Sequence, residues 1–145
     1  MEYTIRIAVP RDASALNKLN REEMGYDYPQ ERTAERLERL LASTVDRIFV
    51  AEIGGEAVGY VHAQHYELLY ADPMKNIMGI AVSAEHRRKG IGAALLKAVE
   101  DWALSDGCAG VRLVSGATRT AAHEFYRRCG YTGGKQQLNF KKMTV

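Results

Sequence analysis

The chain has 145 residues, of which 46% are hydrophobic and 26% charged, and its formal net charge is +2. This length predicts one domain over residues 1–145, and so small a net charge argues against general binding to nucleic acid or to a membrane surface. No run of 18 apolar residues could span a bilayer, and the first residues do not resemble a secretory leader, so a cytoplasmic location is expected.

The first half of the chain predicts a strand, two helices and a hairpin. Pro10 and Asp12 are typical of a helix start. Gly54-Gly55 predicts a two-residue turn in which both glycines take positive φ. In chain order the predicted elements are a strand at Thr4–Val9, a helix carrying Leu16, Leu19 and Met24, a helix at Gln30–Ala42, and strands at Arg47–Ile53 and Val58–Tyr66.

The second half predicts a parallel crossover. Asn76–Val82 is almost continuously apolar, which indicates a strand buried on both faces and parallel to a later neighbour. The segment 67–75 is apolar but interrupted by Asp72-Pro73, so we expect it to cover another surface rather than form a strand. The other predicted elements are a helix at Gly90–Asp106 ending at Gly107, a strand at Val111–Ser115, a helix whose apolar face holds Ala122, Phe125, Tyr126 and Cys129, and a last strand at Gln136–Lys142.

The loop between the apolar strand and the next helix has the features of an anion site. It carries Arg87, Arg88 and Lys89 and delivers Gly90 and Gly92 into the start of the helix. Glycines let a ligand approach the backbone, and the free N–H groups of a helix start attract an anion. The spacing does not fit the nucleoside triphosphate loop or the complete G-x-G-x-x-G dinucleotide loop. Cys108 and Cys129 are isolated, so no metal site and no disulfide framework are predicted.

The run Arg87-Arg-Lys-Gly90-Ile-Gly92 resembles the acyl-CoA pyrophosphate signature of the GCN5-related N-acetyltransferases (GNAT). The run from Ala122 to Tyr131 is similar to a second family signature, A-x-x-F-Y-x-x-x-G-[FY]. The predicted order β-α-α-β-β-β-α-β-α-β is also that of the family. The resemblance implies a single-domain α/β GNAT fold, with a mixed central sheet and splayed parallel strands at the acyl-CoA site.

This resemblance implies acetyl-CoA (CoA) as the cofactor. Backbone groups of the apolar strand would bind the pantetheine amides, and those of the basic loop would bind the pyrophosphate. Arg119 stands where many members have an Asn that contacts pantetheine, and the run from Arg119 to Tyr126 is similar to a subgroup that includes aminoalkylphosphonate N-acetyltransferases. The implied cofactor-binding residues are Ile80, Ala81, Val82, Arg87, Arg88, Lys89, Gly90, Ile91, Gly92, Ala93 and Arg119.

Catalysis is implied to use Tyr126 as a general acid. A phenol with an ordinary pKa near 10 stays protonated at neutral pH and can protonate the departing thiolate of CoA. Many members place a Glu on the strand that corresponds to Asn76–Val82, but this strand contains no carboxylate. Candidate bases are His62, His65, Glu67 and Asp72, and a base acting through water or an amine already partly neutral would need none of them.

The implied activity is acetyl transfer to a primary amine of a small molecule, by direct attack in a ternary complex. Exposed aromatics and the position of acceptors in the family place the acceptor at Tyr26, Tyr28, Glu67 and Tyr70. Three alternatives stay open: acetylation of a protein or peptide, a non-catalytic acyl-CoA-binding regulatory domain, and a dinucleotide-dependent enzyme. No nucleic acid or membrane partner is expected, and a homodimer is left open.

Overall fold

The computed structural model describes residues 2–145, which form two compact units. The first extends to Leu113 and the second comprises Val114–Val145. Each unit is described by itself, and a single domain over residues 1–145 stays a prediction. Within residues 2–145, no helix has the length and apolar character that a membrane span requires.

The first unit contains five strands and three helices, joined by short turns. Gly54 and Gly55 form the predicted hairpin turn, with φ of 58° and 84°. In chain order its elements are β1 (Thr4–Ile7), α1 (Ala13–Met24), α2 (Gln30–Ala42), β2 (Asp46–Ile53), β3 (Glu56–Leu68), β4 (Ala71–Val82), α3 (Ile91–Ser105) and β5 (Gly110–Leu113).

The five strands form one sheet in the order β1-β2-β3-β4-β5. The first four are antiparallel neighbours, whereas β4 and β5 are parallel, which confirms the predicted parallel pair. That pairing runs only from Met74 opposite Gly110 to Ile77 opposite Leu113. Beyond Ile77, β4 continues to Val82 beside β3 alone, so the parallel strands separate there as expected.

Helices pack on both faces of the sheet. On one face, called the α1 face, Leu16, Leu19 and Leu37 of α1 and α2 bury Ile48, Val50 and Tyr60. On the other, called the α3 face, the apolar side of α3 is buried, including Leu95, Val99 and Trp102. Because strand side chains alternate, neighbouring residues of β3 belong to opposite faces.

The segment 67–75 was expected not to be a strand, and this expectation is wrong. Its first residues extend β3, Leu69 and Tyr70 make the turn, and β4 begins at Ala71. The register skips from Tyr66–Met74 to Leu68–Ala71, so Pro73 falls in a bulge where its missing N–H breaks no ladder bond. Leu69 and Tyr70 are fully or mostly exposed, and they do not cover another surface.

Burial of Asn76–Val82 on both faces is also wrong. Met78 is 53% exposed, because a bulge between the His62–Gly79 and Ala63–Ile77 pairs displaces it from the ladder. Apolar content alone does not report such a bulge.

The second unit contains one helix, α4, at Thr120–Arg128. Gly130 has the positive φ of 94° that its predicted role as a helix terminator requires. The predicted last strand at Gln136–Lys142 is wrong, because the structure has no strand after β5. Leu138 and Phe140 are 82% and 85% exposed, so the alternating segment has neither a ladder partner nor a buried face.

Candidate active site

The loop from β4 into α3 presents free backbone N–H groups. Gly90 takes φ of 80° at the helix start, and the first intrahelical bond runs from the Ala94 N–H to the Gly90 carbonyl, at 3.0 Å. Helix geometry therefore leaves the N–H groups of Ile91, Gly92 and Ala93 without an intrahelical acceptor. Three such groups on a helix start are a feature that can bind an anion, and we call them the cradle.

Contacts from α1 and from Tyr3, the residue before β1, hold this loop in place. The Glu23 carboxylate accepts hydrogen bonds from Arg87 Nη2 at 2.6 Å and from the Ala84 N–H at 3.1 Å. The Tyr3 hydroxyl donates to the Gly90 carbonyl at 3.3 Å. The Arg87 guanidinium is therefore bound to a carboxylate, which leaves the backbone amides and the exposed side chains of Arg88 and Lys89 for an anion.

One edge of β4 is open next to this loop. Val61, Tyr60 and Gly59 of β3 pair with Ile80, Ala81 and Val82, so the inner edge of β4 is bonded. On the outer edge, β5 pairs with β4 no farther than Ile77 within residues 2–145. An edge of this kind can accept an extended ligand as an added strand.

A continuous row of polar side chains crosses the α1 face beside this edge. Asp46 pairs with Gln64, Gln64 with Asn76, and Asn76 with Arg112, so one rung runs across β2, β3, β4 and β5. Paired residues in adjacent strands point to the same face. Together with His62 and Tyr66, which lie two residues from Gln64 on β3, these four residues form what we call the polar strip.

His62 is the group in the polar strip best suited to accept a proton. Its Nε2 lies 2.8 Å from Asp46 Oδ1, and the Asp46 side chain is 5% exposed. Burial works against the charge of Asp46, but hydrogen bonds, led by that from His62, outweigh it and lower the pKa of the carboxyl. An ionised Asp46 orients Nε2–H toward itself and leaves His62 Nδ1 as an acceptor. His62 lies opposite Gly79, where β4 carries no side chain.

The other candidate bases lie elsewhere. His65 Nδ1 accepts a hydrogen bond from Lys75 Nζ at 3.0 Å, and His65 Nε2 lies 2.9 Å from Glu67 Oε1. Lys75 is 1% exposed and sits over the Trp102 ring, which places this set on the α3 face. We call His65, Glu67, Lys75, Trp102 and Asp106 the Lys75 cluster. Asp72 is exposed near the turn after β3.

The structure does not bring the four predicted acceptor residues together. Tyr26 and Tyr28 are exposed in the loop after α1, and Asn17 Nδ2 donates to the Tyr28 carbonyl at 2.7 Å. Burial raises the pKa of Tyr60 to about 12, against an opposite effect of its hydrogen bond with Asn20. Glu67 belongs to the Lys75 cluster, and Tyr70 lies in the turn after β3, which ends at Leu68, eight residues or about 26 Å along the strand from Tyr60.

The second unit contains the predicted acid. Tyr126 is half-buried on α4, and its ring lies 5.4 Å from that of Phe125 and 6.3 Å from that of Tyr131. Burial raises the pKa of the Tyr126 phenol, against a smaller opposite effect of Arg119, so the phenol stays protonated above its ordinary range. Arg119 precedes α4, and its backbone N–H donates to the Gly116 carbonyl at 3.1 Å.

Sequence reasoning considered His62 but missed its partner. Asp46 and His62 are 16 residues apart, and no local motif joins them. The hairpin could have indicated that Asp46 and His62 lie close together, because the two-residue turn at Gly54-Gly55 approximately sets the β2–β3 register. A bulge between Ala51 and Glu52 shifts that register by one residue, and this shift could not be read from the sequence.

Comparisons with known proteins show which family the chain resembles. Residues 13–131 match the model of the Acetyltransferase (GNAT) family. The chain is 28% identical over 143 residues to the aminoglycoside N(6')-acetyltransferase type 1 of Stenotrophomonas maltophilia, covering 95% of this chain and 92% of that protein. It is 35% identical over 104 residues to the N-alpha-acetyltransferase of Sulfurisphaera tokodaii, covering 67% and 60%. It superposes with a TM-score of 0.85 and 20% identity on AAC(6')-Iy in complex with the bisubstrate analog CoA-S-monomethyl-acetylneamine, covering 99% of each chain.

Proposed function

The chain belongs to the GNAT family and is an acetyl-CoA-dependent N-acetyltransferase, and we propose that it acetylates a primary amine of a small molecule by direct attack in a ternary complex. The observation that carries this proposal is the Asp46–His62 pair beside the open edge of β4. A transferase acting on protonated amines needs a base near the thioester, and an imidazole oriented by a carboxylate is a group that can serve as one.

The proposed reaction has one acyl transfer and three proton transfers. His62 Nδ1 accepts a proton from the acceptor ammonium, and the free amine attacks the thioester carbonyl carbon. The new C–N bond forms as the C–S bond breaks, and the departing thiolate takes a proton from Tyr126. The extra proton on the new amide nitrogen then passes through water to the Tyr126 phenolate, which restores the phenol. Most of the acceleration comes from holding amine and thioester together, with a backbone N–H near Val82 stabilising the oxyanion.

For the cofactor, we assign the pyrophosphate to the N–H groups of Ile91, Gly92 and Ala93 and the pantetheine to the open edge at Ile80–Val82. Arg88 and Lys89 add attraction that salt weakens. Arg87 acts by holding the loop to Glu23. Arg119 is proposed to contact CoA in place of the family Asn.

Two acceptor classes have support. Relatives named as aminoglycoside N(6')-acetyltransferases favour an amine of an amino sugar. The local likeness of the run from Arg119 to Tyr126 favours a small aminoalkylphosphonate. The similarity to an N-alpha-acetyltransferase keeps a peptide amine as the alternative acceptor.

The direct test is thiol release from acetyl-CoA with a panel of amino sugars, aminoalkylphosphonates, polyamines and peptide N-termini. We expect saturable turnover with one small-molecule class. Tight acetyl-CoA binding without turnover on any amine would instead favour the regulatory alternative.

Cofactor placement has its own test. Gly92→Val puts a branched side chain on the first turn of α3, where the pyrophosphate must approach, and should abolish acetyl-CoA binding in calorimetry. Gly133→Val is the matched control, because a Cβ there meets no atom within 4 Å. Unchanged affinity in the Gly92 variant would place the cofactor elsewhere.

A further inference from the structure

Arg112 differs from the other half-buried strand arginine of this unit. Arg6, on β1, bonds Asp12 through both Nη1 and Nη2, at 2.8 and 2.9 Å, and bonds Glu52 through Nε at 2.7 Å. Its charge is thus neutralised within the chain. Arg112, on β5, has no carboxylate within 4 Å among residues 2–145, and its partners are the Asn76 amide oxygen at 2.5 Å and the face of the Tyr66 ring at 4.3 Å.

These two partners fix the guanidinium without using most of its donors. The ring of Tyr66 holds the guanidinium plane by stacking, and Asn76 takes one N–H from Nη1. A guanidinium has five N–H donors, so four are left for a ligand. Its fork geometry matches the two oxygens of a carboxylate or phosphonate.

Arg112 also has a defined position relative to the base. It lies two strands from His62, and strand spacing of about 4.8 Å puts roughly 10 Å between the two backbones. Gln64 and Asn76 lie on the same rung as Arg112, one pair of residues along the strands from His62, and carry neutral hydrogen-bonding groups. Asn76 Nδ2 donates only to Met78 Sδ, at 3.1 Å. A thioether sulfur is a weak acceptor, so a ligand oxygen in its place would make a stronger hydrogen bond.

We propose that Arg112 and Asn76 form an anion subsite, so that the preferred acceptor carries a carboxylate or phosphonate at one end and its reacting amine at the other. The amine lies at His62 and the anion at Arg112, with a short chain along Gln64 and Asn76. This inference rests on the proposed function for the amine end only. It favours a small amino acid or aminophosphonate over a polycationic amino sugar, which Arg112 would repel.

The kinetic test compares ω-aminoalkylphosphonates with amino alcohols of equal chain length. Charge-assisted hydrogen bonds contribute about 1.5–3 kcal/mol, so the wild type should favour the phosphonate by about 10- to 100-fold in kcat/KM. Arg112→Gln keeps a donor for Asn76 but removes the charge, and should bring this ratio close to one, mainly by lowering kcat/KM for the phosphonate. Arg112→Lys should give an intermediate ratio.

Arg47→Gln is the matched control, because Arg47 also stacks on an aromatic ring, 4.9 Å from the centre of Trp102 on the α3 face. It should keep the wild-type ratio. An unchanged ratio in Arg112→Gln, an equal loss in both arginine variants, or a wild type that favours the neutral acceptor would each overturn the subsite.

A binding measurement separates this inference from the proposed function. Calorimetry of an aminoalkylphosphonate with the wild-type enzyme–CoA complex should show binding that the amino alcohol does not match and that Arg112→Gln weakens at least tenfold. If this holds while no amine is acetylated, the subsite stands and the proposed function fails. If amines are acetylated but the phosphonate binds no better than the alcohol, the proposed function stands and the subsite is wrong.

Discussion

On the α3 face, Lys75 Nζ has three partners: Asp106 Oδ2 at 2.6 Å, His65 Nδ1 at 3.0 Å and the Trp102 ring at 3.9 Å. An ammonium has three donors, so each of them is used. On the α1 face, the polar strip also contains a histidine, a carboxylate and a cation. There, however, His62 Nδ1 and most Arg112 donors have no partner among residues 2–145.

The difference separates two uses of the same residue types. A buried ion whose donors are all used is part of the packing, because removing a partner leaves a charge without solvent. Polar groups with unused donors and acceptors beside an open strand edge are available to a ligand. The presence of histidine and lysine alone therefore says little about function. The number of unused hydrogen-bonding groups distinguishes a candidate ligand site from a packed ion cluster.

The largest expected effect compares the two histidines. His62→Gln keeps a donor for Asp46 but removes the base, so kcat should fall by about 100- to 10,000-fold. His65→Gln should change kcat little, because His65 lies in the Lys75 cluster. Steady-state rates at saturating acetyl-CoA and acceptor make the comparison, and equal losses in both variants would remove the distinction between the faces.

Tyr126→Phe extends the comparison to the second unit. The ring and its packing against Phe125 are kept, so melting temperature and acetyl-CoA affinity should change little. A lost general acid should lower kcat by roughly 10- to 1,000-fold. Equal kcat values for the two proteins would make Tyr126 a packing residue.

Two lysine variants test whether the Lys75 cluster on the α3 face contributes to stability. Each of these lysines forms an ion pair with an aspartate. Lys75→Ala removes a long side chain that is 1% exposed, and should lower the free energy of unfolding by about 3 kcal/mol. Lys97→Ala removes a lysine that is 72% exposed and paired with Asp101, and should cost less than about 1 kcal/mol. Urea unfolding followed by circular dichroism measures both. A loss of kcat without a loss of stability in Lys75→Ala would give this cluster a catalytic role.

Asp46→Asn should have a small effect on stability, with a pH signature. Because the pKa of Asp46 is lowered in the folded protein, its contribution to stability is present above the ordinary value of 3.8 and is lost as pH falls through the lowered one. The variant should therefore be less stable than the wild type by about 1 kcal/mol at neutral pH and match it in strong acid. Melting curves across this pH range test the sign. A difference that does not depend on pH would mean that the carboxylate charge is not involved.

Local patterns predicted the elements whose structure is set locally. The helix Gln30–Ala42 was predicted with the bounds it has, and the turn at Gly54-Gly55 has the expected positive φ values. The α/β GNAT fold is confirmed, as is the cofactor, because the order of elements and the loop motif specify both. These features depend on residues close in sequence.

Features that depend on which strands pair, and in which register, were predicted less well. The residues Asp72-Pro73 were read as a break, yet a bulge lets β4 pass through them. The segment Gln136–Lys142 alternates as a strand should, yet alternation cannot supply a partner. The polar strip depends on the register of four strands, which bulges shift by single residues. Its chemistry therefore had to be read from the fold.

The backbone of Arg88 has a consequence for the speed of cofactor capture. Its φ of 65° lies in the left-handed region, which costs a non-glycine residue roughly 1 kcal/mol or more. Such a conformation persists when neighbours impose it, and here Glu23 holds the loop on one side while Tyr3 holds it on the other. We therefore expect the cradle, as the proposed pyrophosphate site, to be shaped before acetyl-CoA arrives. We expect acetyl-CoA to bind without a slow rearrangement of the loop. The observed rate constant of association should then rise linearly with acetyl-CoA concentration and show no plateau.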